Sequence, residues 1–286
     1  MRRPFAQVDV FTAAPYMGNP LAVVANADGL TTEAMQRFAS WTNLSETTFL
    51  LEPTSEQADQ TDRADYRVRI FTPDRELPFA GHPTLGSCKV WLDHGGVPRR
   101  PGVIVQECGA GLLTIRSSNN RLAFAAPPLV RSGPVSAEDL ALACALLRID
   151  LGTQVVDANW VDNGPPWMAV LLGSAEEVLS LRPETANPRG LFVGAVGPHP
   201  ASAEADVEVR AFFPVRGTLA EDPVTGSLNA SLGQWLTAAG HASTPYVAGQ
   251  GAALGRDGRI YIDRDPDGTI WVGGEVVSCI QGTVEI

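Results

Sequence analysis

The chain is 286 residues long, 44% hydrophobic and 19% charged, which suits two medium domains or one large one and rules out a disordered chain. Its net charge is −11 at pH 7, its isoelectric point is near 4.8, and its only adjacent basic pairs are Arg2-Arg3 and Arg99-Arg100. Nucleic acid and anionic membrane surfaces are therefore poor partners, and an acidic ligand would have to be held by local N–H groups against the overall field.

Met1-Arg2-Arg3 leads straight into alternation over residues 7–12, which predicts a strand and no signal peptide. A turn follows from Pro15 to Pro20, with extended structure resuming over residues 21–24. Met35, Phe38, Ala39 and Thr42 mark one helical face, and residues 47–51 and 66–72 read as strands. Pro83 predicts the first position of a helix running to about Asp93, where His94-Gly95-Gly96 offers a stop. Further strands are expected over residues 102–107, 112–116 and 122–125.

The passage from Pro127-Pro128 to Gly133-Pro134 is linker-like. Beyond it, Ser136-Ala137-Glu138-Asp139 resembles a capping box ahead of a stripe of Leu140, Ala143, Cys144 and Leu147, on which Cys144 reads as core. Ser174-Ala175-Glu176-Glu177 opens a second capped helix, stopped by Pro183. Strands and helices mix without regular β-α-β alternation, so the fold class is α+β. No apolar run approaches the roughly 18 residues of a membrane span. Cys88, Cys108, Cys144 and Cys279 are dispersed, which predicts reduced thiols and a cytoplasmic location, and the four scattered histidines give a metal cage no support.

The halves look duplicated. Residues 68–75 lie over 209–216 at an offset of 141 (209 − 68), agreeing at Val, Arg, Phe, Pro and Arg in five of eight places. Pro83 and Gly86 fall over Pro223 and Gly226 at 140 (223 − 83), and Val161-Asp162-Asn163-Gly164-Pro165 echoes Val8-Asp9 and Gly18-Asn19-Pro20. This predicts two pseudosymmetric domains, 1–128 and 129–286, with a last strand over about 270–286 that can return to the first domain, and a cleft between them. On this overlay His82 and Asp222 are equivalent, each directly before a proline at a helix start where the first-turn N–H groups favour an anion.

For Asp222 the plain alternative is an N-cap of its own helix; His82 is a less usual cap. Gly81 and Gly226 allow close approach of the backbone, and Ser227 adds a hydroxyl. Glu46 stands between hydroxyl residues at the entry to an apolar strand; it is either a solvated strand end or, if it faces an apolar cleft, a general acid/base with a raised pKa.

Five segments together resemble the phenazine-biosynthesis (PhzF-like) isomerase family. They are Gly18-Asn19-Pro20-Leu21-Ala22-Val23, Ser45-Glu46-Thr47-Thr48-Phe49, Phe71-Thr72-Pro73, Glu76-Leu77-Pro78-Phe79-Ala80-Gly81-His82-Pro83-Thr84 and Glu221-Asp222-Pro223-Val224-Thr225-Gly226-Ser227. Gly249-Gln250-Gly251 and Gly255-Arg256 also fit. The resemblance implies a diaminopimelate-epimerase-like fold of two similar domains, each a curled, mostly antiparallel sheet around a central helix, in a homodimer. It implies Glu46 as the catalytic carboxylate, His82 and Asp222 as catalytic partners, and Asn19, Ser45, Gly81, Gly226 and Ser227 around the substrate.

The implied reaction is a cofactor-independent allylic proton shift on a small unsaturated carboxylic acid in phenazine, antibiotic or other secondary metabolism. A dihydro-3-hydroxyanthranilate is the substrate that the family's phenazine enzyme suggests. In the related epimerases a cysteine pair moves the protons, whereas here Cys88 lies more than a turn inside its helix and reads as core. The alternatives are an amino-acid racemase or epimerase using His82 and Asp222, and a catalytically silent small-molecule-binding protein.

Overall fold

Alternating and continuous apolar runs set the strands, and the structure, a computed structural model, describes residues 1–54, 63–152 and 154–286. The first half holds β1 (Arg2–Val10), β2 (Asn19–Val24), α1 (Thr32–Thr42), β3 (Thr47–Leu51), β4 (Tyr66–Phe71) and β5 (Glu76–Leu77). It continues with α2 (Gly81–Asp93), β6 (Val103–Cys108), β7 (Gly111–Ser118) and β8 (Arg121–Ala125). The second half holds β9 (Arg131–Pro134), α3 (Ala137–Leu147), β10 (Val155–Asp162), β11 (Trp167–Leu172), α4 (Ala175–Ser180) and β12 (Phe192–Pro198). After these come β13 (Val207–Val215), β14 (Thr218–Asp222), α5 (Gly226–Ala239), β15 (Tyr246–Gln250), β16 (Gly258–Arg264), β17 (Ile270–Gly274) and β18 (Val276–Glu285).

Residues 1–125 and 273–286 form one compact unit. In it β1 lies antiparallel between β2 and β18, and β2 runs parallel to β3. β3 pairs antiparallel with β4, which takes β5 antiparallel and β6 parallel; β6, β7 and β8 then form a meander. Helix α2 packs on β1, β2, β3, β4, β6, β8 and β18, and its residues 81–88 are all buried. A helix buried on every side needs a close seat: a Cβ on Gly86 would stand 2.5 Å from Leu21 Cδ2 and 3.0 Å from Val10 Cγ2.

Residues 126–272 form the second unit. Here β10 pairs antiparallel with β11, β11 runs parallel to β12, and β12 pairs antiparallel with β13. β13 takes β14 antiparallel and β15 parallel, and β15 pairs antiparallel with β16. This repeats the first unit's pairings one for one, with α5, buried from Leu228 to Gly233, as its central helix. A Cβ on Gly194 would meet Leu228 at 2.6 Å, and one on Gly233 would meet Ile262 and Ile270 at 3.0 Å, so β12, β16 and β17 all lie against α5. The proline-rich passage after β8 is not irregular throughout: residues 131–134 pair antiparallel with β10 as β9.

Each unit contains the same ion-pair device. Arg69 of β4 grips Glu76 of β5 through Nε and Nη2 at 2.7 and 2.6 Å, with its guanidinium carbon 5.1 Å from the Phe71 ring centre. Arg210 of β13 grips Glu221 of β14 at 2.8 and 2.8 Å, 5.0 Å from the Phe212 ring centre. Phe71 faces Glu76 in the ladder as Phe212 faces Glu221.

This frame corrects the sequence overlay. The strands β4 and β13 do align at 141, but Glu76 and Glu221 stand 145 apart (221 − 76), as do the helix starts Gly81 and Gly226 (226 − 81). The β13–β14 hairpin is longer by four residues (145 − 141), enough to shift everything after it. His82 is therefore equivalent to Ser227, and Asp222 to Leu77.

The proline positions are corrected too. Pro83 is the third residue of α2, tolerated because first-turn N–H groups have no helical acceptor. Pro223 lies two residues before the N-cap Thr225, and its ring favours extended backbone at Asp222, which ends β14 and is not a helix cap.

Burial separates the costs of the two ion pairs. The Arg210 and Glu221 side chains are 6% and 13% exposed, those of Arg69 and Glu76 24% and 39%. Arg210 Nη1 also donates to the carbonyls of Val178 and Leu181. Arg210→Met should lower unfolding free energy in urea by about 3–5 kcal/mol, because it strands a buried carboxylate. Arg69→Met should cost only about 1 kcal/mol, because solvent screens that pair.

Candidate active site

Helix α1 ends at Asn43, whose left-handed φ of 56° lets its N–H reach the Ala39 carbonyl. Thr42 Oγ1 donates to that carbonyl as well and meets Thr47 Oγ1 at 2.8 Å, tethering the loop of residues 43–46 at both ends. Thr47 pairs with Ala22 and Phe71, and Ser87 of α2 donates to Thr48 Oγ1 at 2.8 Å. These bonds fix β3 against α2. As a result Glu46, one residue before β3, has its Oε2 3.3 Å from Nε2 of His82, the second residue of α2.

Both side chains are largely withdrawn from water, Glu46 at 15% and His82 at 7% exposure. The distance is that of an ion pair, but burial pushes the His82 pKa down to about 3, so the imidazole is neutral at physiological pH. The two atoms also lack the alignment of a hydrogen bond. Such contacts in an unliganded site are often loose and tighten around a substrate. The pair is a carboxyl group beside a neutral imidazole.

The other residues of the first unit fall as follows. Asn19 is fully buried, the first residue of β2 and the ladder partner of Val10. Gly81 is buried and opens α2 next to His82, whereas Ser45 is exposed on its loop. Ala80, the N-cap of α2, has no side chain to close the first turn. The more peripheral helices α1, α3 and α4 are capped by Thr31, Ser136 and Ser174, whose hydroxyls accept N–H groups. Burial also pushes the Cys88 thiol up to about 12, which makes it an inert core residue.

In the second unit α5 likewise begins without a side-chain cap bond, at Thr225-Gly226. Ser227 Oγ accepts from Trp167 Nε1 at 3.0 Å, and its carbonyl accepts from Asn163 Nδ2 at 2.8 Å. Asp222 Oδ2 accepts from Thr225 Oγ1 at 2.6 Å. Gln250 holds this segment from below: its Oε1 accepts from Thr225 N and Asn229 Nδ2, and its Nε2 donates to Asp222 O and Thr225 Oγ1. The sequence gives Thr225 only within the Glu221–Ser227 run and Gln250 only within Gly249-Gln250-Gly251, and it does not single out Trp167. Among the described residues no group of three or more His, Cys, Asp or Glu is placed to hold a metal ion, and no helix is long and apolar enough to cross a membrane.

A duplicated curled-sheet fold thus carries, at one uncapped helix start, a carboxyl group beside a neutral imidazole. The family model PhzC-PhzF, described as phenazine biosynthesis-like protein, matches residues 8–282, and the chain belongs to that family. It is 34% identical to antisense-enhancing sequence 1 of Schizosaccharomyces pombe over 97% of both chains. It is 51% identical, over 83 residues that make up 29% of this chain and 27% of the other, to trans-2,3-dihydro-3-hydroxyanthranilate isomerase of Pseudomonas aeruginosa. The fold matches the crystal structure of a PhzF-family phenazine biosynthesis protein of Bacillus anthracis with a TM-score of 0.82, at 23% identity and full coverage of both chains.

His82 ties acid stability to the site. In the unfolded chain it takes up a proton near its ordinary pKa of 6.5, in the folded chain only near 3. The unfolded state therefore gains as pH falls between those values, and stability drops with it. In urea titrations between about pH 6.5 and 4, His82→Gln should flatten this slope by up to about one proton per molecule. An unchanged slope would place His82 in solvent.

Proposed function

We propose that this protein is an isomerase that moves a proton within a small unsaturated carboxylic acid. Glu46 removes the proton from one carbon and, as the conjugate acid, returns it at another carbon of the same conjugated system. The observation that carries this reading is the buried Glu46 carboxyl 3.3 Å from a neutral His82 at the open start of α2. A single carboxylate serves both steps if the two carbons come within its reach on one face. A neutral imidazole can exchange a hydrogen bond with the substrate without adding a charge that would weaken the base. The first-turn N–H groups of α2, beginning at Gly81, are donors for a substrate carboxylate in a chain that otherwise repels anions.

The name of the P. aeruginosa relative supports the isomerase class and suggests the probe, a dihydro-hydroxy-anthranilate with a carboxylate on an unsaturated ring. In the same reading Asp222 orients the substrate's polar groups and assists charge movement, Asn19, Ser45, Gly226 and Ser227 contribute binding contacts, and no organic cofactor takes part. The reading places the enzyme in secondary metabolism, as a cytoplasmic homodimer. Racemisation would need two bases on opposite faces of one carbon, and the helix position equivalent to His82 holds no second base but Ser227, whose hydroxyl accepts from Trp167 Nε1.

With trans-2,3-dihydro-3-hydroxyanthranilate and related dienoic acids in heavy water, the wild type should isomerise at least one of them and incorporate deuterium. Glu46→Gln should lower that rate about 10²- to 10⁴-fold. Undiminished isomerisation in Glu46→Gln would remove Glu46 from its role.

A further inference from the structure

We infer that Gln250 and Thr225 are positioning residues that point a hydroxyl proton at the Asp222 carboxylate and fix its orientation, an assignment that rests on Asp222 being a site residue. The argument is one of hydrogen-bond direction. Gln250 is 2% exposed, and its amide has all four of its bonds made. Its oxygen accepts from Thr225 N at 3.0 Å and from Asn229 Nδ2 at 2.8 Å; its nitrogen donates to Asp222 O at 3.1 Å and to Thr225 Oγ1 at 2.8 Å. An amide nitrogen can only donate, so the two N–H acceptor contacts and the two donor contacts fix which way the amide is flipped.

The consequence passes to Thr225. Its Oγ1 spends a lone pair on Gln250, and its own proton is left for Asp222 Oδ2 at 2.6 Å, the length of a hydrogen bond to a charged acceptor. Oδ2 is thus taken by the protein, and the carboxylate plane is set. The same glutamine fixes the Asp222 main chain through its carbonyl and the start of α5 through Asn229, the fourth residue of that helix.

The first unit also bonds its central helix through a glutamine of the corresponding parallel strand, two ladder positions away from the equivalent of Gln250. Gln106 of β6 accepts from Tyr66 OH at 2.8 Å and donates to Thr84 Oγ1 at 3.2 Å, Thr84 being the fourth residue of α2. There the glutamine joins the helix to Tyr66 of β4, without the link to a carboxylate that the corresponding bonds make in the second unit. Among the described residues, the charged groups near the segment include Glu221, already gripped by Arg210, and Arg256, whose stem would share with the Pro223 carbonyl the space of a Cβ on Gly251.

The test is a titration of Asp222 in the full chain, with [γ-¹³C]aspartate labelling and the Asp222 resonance identified by its loss in Asp222→Asn. Thr225→Val, which keeps shape and removes the hydroxyl, should raise the Asp222 pKa by about one unit, and Thr225→Ser should restore it. Gln250→Met removes the donor without adding a charge, so it should shift the titration in the same direction. An Asp222 titration unmoved in both Thr225→Val and Gln250→Met, or not restored in Thr225→Ser, overturns the assignment. The functional reading fails separately, through full isomerase turnover in Asp222→Asn.

Discussion

Two helices start inside folded sheet with no side chain closing their first turns, and most of the architecture serves to make that possible. An open helix end in an apolar interior is expensive, because its first N–H groups have no acceptor and cannot reach water. The more peripheral helices of the same chain solve this with hydroxyl caps at Thr31, Ser136 and Ser174. At Ala80 and Thr225 the chain does not, and it also places glycine next, at Gly81 and Gly226. Buried glutamines on β6 and β15 instead bond to the fourth residue of each helix from the sheet side.

Duplication supplies the frame, and the two units depart from symmetry at their central helix starts. The Arg-Glu-Phe cluster repeats with distances within about 0.2 Å, and the strand pairings repeat with it. Against that constant background the second helical position carries a neutral imidazole in one unit and a hydroxyl in the other. The carboxylates are not symmetry mates either: Glu46 comes from the loop between α1 and β3, Asp222 from the end of β14.

Much of this was legible in residue order. Alternation and apolar runs located strands β1 to β4 and β6 to β8, the Ser-x-x-Asp and Ser-x-x-Glu patterns located α3 and α4, and the repeated Val-Arg-x-Phe identified the duplication. The α+β class and the family follow from these and from the motifs around Glu46, His82 and Asp222. What sequence misjudged was register. A hairpin four residues longer is invisible in a gapped match of short segments, so the overlay pairs His82 with Asp222 rather than Ser227. A proline after a polar residue also predicts a first helical position, whereas at α5 it holds the preceding aspartate in a strand. The polar contacts of Gln250, Trp167 and Asn163 join residues 21 to 64 positions apart, and no local pattern encodes them.

The central claim is that one carboxylate carries a proton from carbon to carbon, beside an imidazole kept uncharged by burial. Its most direct test is a single turnover in ordinary water of a dienoic acid substrate deuterated at the carbon that loses its proton, with the product analysed by mass and NMR. A shuttle on Glu46 predicts that a measurable share of the label reappears at the carbon that gains a proton. Product formed at full rate with every new hydrogen drawn from solvent would contradict it.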